Sequence, residues 1–424
     1  MLLSDAPTAV ARISYPDLYA RSERGHWSAT ELDLSSDLGH WREEMSEHER
    51  RAALWTYGMF FHGEHAVAST LSPFIDAAPL AEQKYFLATQ QAEEARHAVF
   101  FGRFMTEVVG GNGRTAEAAM DATAPQLTWG FRRMFGRLDE LSHELHSDPS
   151  QPRLAAGVML YHLIIEASLA QPGQHLIEAH LERTGLLPGL LEGMRNVSRD
   201  EQRHIGFGVK LLSDLRAVPG AVDAAAAMLR QVLPWLACTY VPPNWDESYA
   251  EVFGYTLEDV YASSIESLEG KLRAAGLPPE ELFGAYAQLV DLSPRERARR
   301  LLAMHKANLV GEKLGPARRD DESAALLFDA MRLSIDHREA PQRPVAIEWD
   351  FDDRDPWHIR VEDGAATAHP GPAPRADLVM RSTFQDWVDI AAGRRDPRAA
   401  VLTRRLRPRG DVRLLLRFGR MFGG

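Results

Sequence analysis

One cysteine, Cys238, stands in 424 residues, which excludes an intrachain disulfide and fits the reducing conditions of a cytoplasm. The stretch from Met1 to Arg12 lacks the charged-then-apolar order of a secretion signal. No run approaches the roughly 20 apolar residues that a membrane-spanning helix needs. Basic charge is also short: 48 Lys and Arg face 60 Asp and Glu, and the net charge of −12 argues against nucleic acid as the general partner. Neither a dinucleotide-binding motif nor a cysteine cluster for iron and sulfur is present. Electrons for any redox chemistry must therefore come from a separate reductase, the substrate or a chemical donor. What remains is an ordinary composition, 45% hydrophobic and 25% charged, in a chain long enough for two or three domains. The expectation is a soluble, cytoplasmic protein.

Against these absences stand two Glu-x-x-His motifs, Glu94-Ala95-Arg96-His97 and Glu201-Gln202-Arg203-His204. Each follows another acidic residue at the distance of a helical hairpin: Glu64 lies 30 positions before Glu94, and Glu166 lies 35 before Glu201. Residues at i and i+3 share a helix face about one turn apart, so the Glu and His of each motif can approach one ion. Glu94 and His97 fall on the stripe Leu87, Gln90, Phe101, Phe104, and Glu201 and His204 on Met194, Val197, Gly208, Leu211. Glu64 keeps the phase of Tyr57, Phe60, Phe61, Val67, Ala68 and Leu71, and Glu166 lies among Val158, His162, Leu169 and Gly173. All six polar groups are expected to point into a core.

An unpaired buried carboxylate costs several kcal/mol or stays protonated, so four of them in one core call for compensating positive charge. Two metal ions supply it, and four carboxylates with two imidazoles in this order are the ligand set of a two-metal site in a four-helix bundle. Oxygen-rich ligation with one histidine per ion suits iron or manganese better than zinc. His62, His65, His162 and His175 lie near these positions but lack the phase and motif together, and read as core or surface histidines.

The run from Trp41 through Val109, with Gly63-Glu64, Glu93-Glu94-Ala95-Arg96-His97 and Phe100-Phe101, resembles the ferritin-like superfamily around the ribonucleotide reductase small subunit. Within it the chain looks most like the ligand-binding oxidases, over roughly residues 36–275. The resemblance implies a mainly α fold, a ferritin-like four-helix bundle with extra helices. It also implies two iron ions or a manganese–iron pair as cofactor, dioxygen as co-substrate, and a homodimer. The reductase keeps its radical tyrosine four residues after the first motif's histidine, where this chain has Phe101, so nucleotide reduction is disfavoured. Tyr161 matches the tyrosine that ligand-binding oxidases crosslink to a valine two residues after the first glutamate, although Ala66 occupies that valine's position here. Asp200 resembles the aspartate that holds a metal-bound histidine in the reductase group. The extra histidine of arylamine N-oxygenases, expected four residues before Glu201, is replaced by Val197.

Along the chain, Pro7, Pro16, Gly25 and Gly39 suggest an irregular arm over 1–45. A dimetal oxidase domain is expected over 46–310, with helices near 46–76, 79–109, 113–147, 152–184, 187–216, 221–241, 256–275, 278–291 and 293–309. A linker is expected over 311–322. Beyond it, over 323–424, the period changes to two. Val345, Ile347, Trp349 and Phe351 alternate with polar residues, and Trp357, Ile359 and Val361 repeat the pattern before a hairpin turn at Asp363-Gly364. Thr383 and Asp386 can cap a helix that Gly393 ends. This smaller α+β region resembles sterol carrier protein type 2, which implies a lipid tunnel or a module for assembly. Its eight arginines from Arg398 to Arg420 suit a solvated face or an anionic group.

The leading expectation is an enzyme: a dimetal oxidase or oxygenase that activates dioxygen to hydroxylate, desaturate or N-oxygenate an apolar or amphipathic small molecule. Phe60, Phe61, Phe101, Leu169 and Phe207 are candidates for the wall that excludes water. Two alternatives are an iron-oxidising protein of ferritin type, and a lipid carrier in which the bundle is only a scaffold. Six intact ligands argue against the scaffold, because an apolar core would be more stable.

Overall fold

The computed structural model describes residues 13–110, 115–336, 338–362 and 365–422. The chain divides into two compact units, Met1–Pro278 and Pro279–Gly424. The division falls before the change of period near residue 311. Ala307 and Leu309 share an apolar core with Phe328 and Trp349, and so segregate with the later strands.

The first unit is helical, and it begins with order where an irregular arm was expected. Helix α1 (Tyr15–Arg24) is started by Pro16 rather than broken by it. Proline fits the first turn, where its missing N–H would have no helical partner, and the Ser14 hydroxyl accepts from the Asp17 amide at 3.2 Å. A short α2 (Ser35–Gly39) precedes α3 (Glu47–Thr70), which a reciprocal cap between Ser46 and Glu49 sets off. Pro73 forces a restart as α4 (Ser72–Ala77), and α5 (Ala81–Arg103) follows. The single helix expected over 113–147 is two, α6 (Ala116–Thr123) and α7 (Trp129–Ser147). They part at Pro125, and the Thr128 hydroxyl caps the second by accepting from the Phe131 amide at 3.3 Å. Helices α8 (Gln151–Val158) and α9 (Gln171–Thr184) are joined through Met159–Ala170, a stretch wound in wide π turns around Glu166. Then come α10 (Pro188–Leu215), α11 (Ala221–Leu236), α12 (Ser248–Glu251) and α13 (Leu257–Ala274).

Helices α3, α5, the 151–184 rod and α10 form the bundle that carries the six candidate ligands. α3 lies on α5, and α10 packs against both α5 and the rod. Gly208 sets the last approach: a Cβ there would lie 2.2 Å from His162 Cβ, closer than any side chain tolerates. By length and composition the 151–184 rod would pass as a membrane span, contrary to the expectation from sequence. Yet 89% of its most apolar window is buried within the protein, so its apolarity is that of a central bundle helix.

The second unit opens with α14 (Pro279–Leu282), a 3-10 stretch at Gly284–Asp291, α15 (Pro294–Lys306) and α16 (Asp321–Leu333), whose cap, Asp320, lies in the expected linker. Strands β1 (Val345–Phe351), β2 (Trp357–Glu362), β3 (Ala365–Pro370), β4 (Leu378–Ser382) and β5 (Arg407–Gly410) form one sheet in the order β3-β2-β1-β4-β5. β1 runs parallel to β4, and the other pairs are antiparallel. The alternation places Val345, Ile347, Trp349 and Phe351 inward, with Ile347 opposite Ile359 on one side and Leu378 on the other. Helix α17 (Phe384–Ala391) is capped by Thr383 and followed by Gly393 at φ 67°; α18 (Pro397–Leu402) and α19 (Val412–Met421) complete the unit. Its core centres on Phe328 stacked on Trp357 at 5.1 Å. The expected turn at Asp363-Gly364 lies outside the described residues.

Candidate metal centre

The four bundle helices bring all six sequence-selected residues to one place. Two groups form, each able to hold one ion: Glu64, Glu94, His97 and Glu201, and Glu94, Glu166, Glu201 and His204. Within each group one ligand atom per residue lies within 4.8 Å of the others. Glu94 and Glu201 belong to both, so they stand where bridging carboxylates would. His97 Nδ1 is 3.3 Å from Glu64, 3.4 Å from Glu94 and 3.5 Å from Glu201. His204 Nδ1 is 3.0 Å from Glu94, 3.6 Å from Glu201 and 3.7 Å from Glu166.

The donor atoms themselves test whether metal fits. Among the described residues, His97 Nδ1, His204 Nδ1, Glu166 Oε2 and Glu201 Oε2 are buried without a hydrogen-bond partner. Buried polar atoms are rarely left so, and four orphans converging between acidic side chains suit cations. Charge follows the same logic. Burial lifts the Glu64 carboxyl to about 8, with His97 opposing it. Burial also lifts Glu166 well above the usual range, with Glu201 beside it adding to the rise. Burial acts on Glu94 in the same sense, but His204 and His97 outweigh it and hold that carboxyl well below its ordinary value. The imidazoles respond in reverse: burial disfavours their charge, and the carboxylates around them raise both well above the ordinary value.

Behind the histidines lies a crossed pair of acids. His97 Nε2 meets Asp200 at 3.1 Å, and His204 Nε2 meets Glu93 at 2.8 Å. Each imidazole on one helix is thus held from behind by the acid that precedes the ligand glutamate of the other helix. Such partners fix ring orientation and leave Nδ1 for a metal. Arg203 donates to Glu93 at 2.9 Å and also to Asp200, tying the two together. Trp27, from the N-terminal segment, donates its indole N–H to Asp200 at 2.8 Å and stacks on the His97 ring with centroids 6.2 Å apart. Sequence reasoning singled out Asp200 and missed Glu93 and Trp27. A signal for Glu93 existed: both motifs read acid-Glu-x-Arg-His, Glu93 to His97 and Asp200 to His204. Trp27 had no comparable signal.

Tyr161 is fully buried and donates to Glu94 at 2.7 Å. Burial, with Glu166 and Glu94 nearby, raises its phenol well above 10 and keeps it protonated. Gln90 donates to Glu166 at 2.9 Å and accepts from His162 at 3.2 Å. Burial lowers His162 to about 3, so it stays neutral. His62 pairs with Thr123 at 2.9 Å.

The carboxylates of Glu64, Glu94, Glu166 and Glu201 line one side of a cavity of about 970 Å³, counting its mouth. Otherwise the walls are almost wholly apolar, with Phe60 and Leu169 among them as expected from sequence. Phe61, Phe101 and Phe207 are buried elsewhere in the core.

This fold is similar to that of solved ligand-binding oxidases. A single-site variant of an R2-like ligand-binding oxidase with an aerobically reconstituted Mn/Fe cofactor matches at 23% identity, over 62% of this chain and 94% of that one, with a TM-score of 0.54. An R2-like ligand-binding oxidase with an aerobically reconstituted metal cofactor after photoconversion matches at 22% identity, over 62% and 93%, with a TM-score of 0.54. Residues 320–423 match the family described as alkyl sulfatase C-terminal, where the sequence had suggested sterol carrier protein type 2. Residues 11–224, half of the chain and all four helices that carry the six candidate ligands, match the family described as ribonucleotide reductase, small chain, and the chain belongs to that family.

Proposed function

We propose that the first unit is a dimetal oxidase or oxygenase that uses dioxygen to oxidise an apolar or amphipathic small molecule. The observation that carries this reading is the juxtaposition of two four-residue ligand groups, sharing Glu94 and Glu201, with a cavity whose remaining walls are apolar. Glu64 and His97 would hold one ion, Glu166 and His204 the other, and Glu94 and Glu201 both. The metals, iron with iron or manganese with iron, supply dioxygen activation when bound. The Mn/Fe cofactor of the similar ligand-binding oxidase supports the mixed pair as well as the uniform one.

The chain's own residues then have definite tasks. Asp200 and Glu93 accept from Nε2 of His97 and His204 and so present Nδ1 of each ring to the site. Tyr161 holds a proton against Glu94 Oε1, limiting how that carboxylate can turn. The apolar wall keeps bulk water from the oxidising centre and takes up the substrate's hydrocarbon. Phe101, buried where the reductase carries its radical tyrosine, argues against nucleotide reduction. Hydroxylation, desaturation and amine oxygenation remain the reactions that such a site can perform, with electrons from an external reductase. A cytoplasmic homodimer fits the reading. The second unit would serve as a module for assembly or, on the sterol carrier resemblance drawn from its sequence alone, for lipid binding.

The test is metal analysis with an optical spectrum. Full-length protein is loaded anaerobically with Fe(II), with and without Mn(II), and then exposed to oxygen. About two metals per chain and an oxygen-dependent absorption band, both lost in Glu201→Ala, are expected. Absence of stoichiometric metal would overturn the reading.

A further inference from the structure

We propose that the molecule accepted by the cavity is elongated and carries a neutral hydrogen-bond acceptor, and that Trp55 recognises this acceptor at the end remote from the metal ligands. The proposal deepens the oxidase reading and rests on it for the identity of the reacting end.

Trp55, Met59, Phe60, Gly63 and Glu64 line the cavity from one face of α3. Nine residues of helix separate Trp55 from the ligand Glu64, which places them about 13 Å apart along the axis. Trp55 is only 6% exposed, and its indole Nε1 has no hydrogen-bond partner among the described residues. An indole can donate and cannot accept. A buried donor unsatisfied by protein carries a desolvation cost that a ligand oxygen in the adjoining cavity would relieve. The other buried hydroxyls that line the cavity are already engaged, since Tyr240 donates to the Leu169 carbonyl and Tyr161 to Glu94. No lysine, arginine or histidine is among the lining residues, so at the Trp55 end, remote from the metal ions, nothing neutralises a carboxylate. A carboxylate at that end would be buried without a counter-charge, which is costly. A ketone, ester, ether or alcohol oxygen meets the requirement, and the spacing puts the oxidised carbon on the order of ten bonds from that oxygen.

The experiment measures binding of 2-undecanone and n-undecane to full-length, metal-loaded protein by headspace depletion. Wild type should bind the ketone about tenfold more tightly than the alkane, since the alkane leaves the indole unsatisfied. In Trp55→Phe the alkane affinity should persist while the preference for ketone falls to near unity. As a readout that needs no variant to fold, one indole N–H resonance of ¹⁵N-labelled wild type should move with ketone and stay in place with alkane. Equal binding of ketone and alkane to wild type, or a preference retained in Trp55→Phe, would overturn the proposal. Metal content and oxygen uptake are read on the same preparations. Normal values there without a ketone preference sink this inference alone, whereas loss of metal binding sinks the oxidase reading.

Discussion

Removing the metal should make stability fall as pH rises, and Glu64 shows by how much. In the metal-free site burial lifts its carboxyl to about 8 from an ordinary value of 4.5. The folded protein therefore keeps a proton that the unfolded chain releases. A raised pKa contributes stability that is whole below the unfolded value and is lost as pH climbs towards and through the folded one. Across this window, at about 1.4 kcal/mol per unit, the loss reaches at most about 5 kcal/mol. That corresponds to roughly 10 °C in the melting temperature of a unit of this size. The perturbation is Glu64→Gln, whose amide stays neutral at every pH. Chelator-treated wild type and variant would be melted by scanning calorimetry from pH 5 to pH 8. Wild type should lose stability relative to the variant progressively over that range. Metal-loaded wild type should show the opposite trend against its metal-free form, because ions compete with protons for the same oxygens. Parallel melting of the two metal-free proteins across the window would refute the reasoning, since it would mean that Glu64 is not desolvated as the geometry requires.

Asp200→Asn and Glu93→Gln should each weaken metal binding about 10- to 100-fold, the first through His97 and the second through His204. Chelator competition measures this, and unchanged affinity in both would contradict the crossed support of the rings. Gly208→Ala should destabilise the first unit by about 1–3 kcal/mol or more, because the added methyl meets His162 Cβ. A calorimetric melt at the wild-type temperature would count against the close packing of α10 on the rod. Tyr161→Phe should leave two metals bound while costing about 1 kcal/mol for the lost bond to Glu94. Loss of metal in that variant would show that the phenol itself is needed for ligation.

The bundle was legible because two signals coincide on the same residues. Helical periodicity marks a buried face, and Glu64, Glu94, Glu166 and Glu201 are acids placed on that face, where only a compensating charge makes them tolerable. The strand alternation at Val345–Phe351 was legible for a similar reason, since period two leaves one inward row. The N-terminal segment was misread because proline was weighed as a breaker. The helix-start context of Ser14 and Asp17 around Pro16 points the other way. The break within 113–147 shows the converse error, in which composition favoured a long helix while Pro125 and Thr128 encode a stop and a new start. The segment 279–310 reads as helix like its predecessors, so nothing local reveals that it belongs to the second compact unit. Trp55 and Trp27 were unreadable as functional residues, because each owes its significance to a partner, or the lack of one, that only tertiary packing decides.

The crossed acids explain why a site so plain in its ligands remained half hidden in its support. Asp200 and His97 are 103 residues apart in sequence, and Glu93 and His204 are 111 apart. Neither imidazole is oriented by its own helix, so α5 and α10 must be in register before either ring is fixed. Arg203 then joins both acids and supplies the positive charge that lets two carboxylates stand close behind the ligands without repelling one another. Had each acid served the histidine of its own motif, each half-site could be ordered independently of the other. The exchange instead makes packing of the two helices a condition for presenting both Nδ1 atoms. An isolated motif match therefore identifies the donors, whereas the geometry that lets them act together resides in the pairing of the two acid-Glu-x-Arg-His repeats.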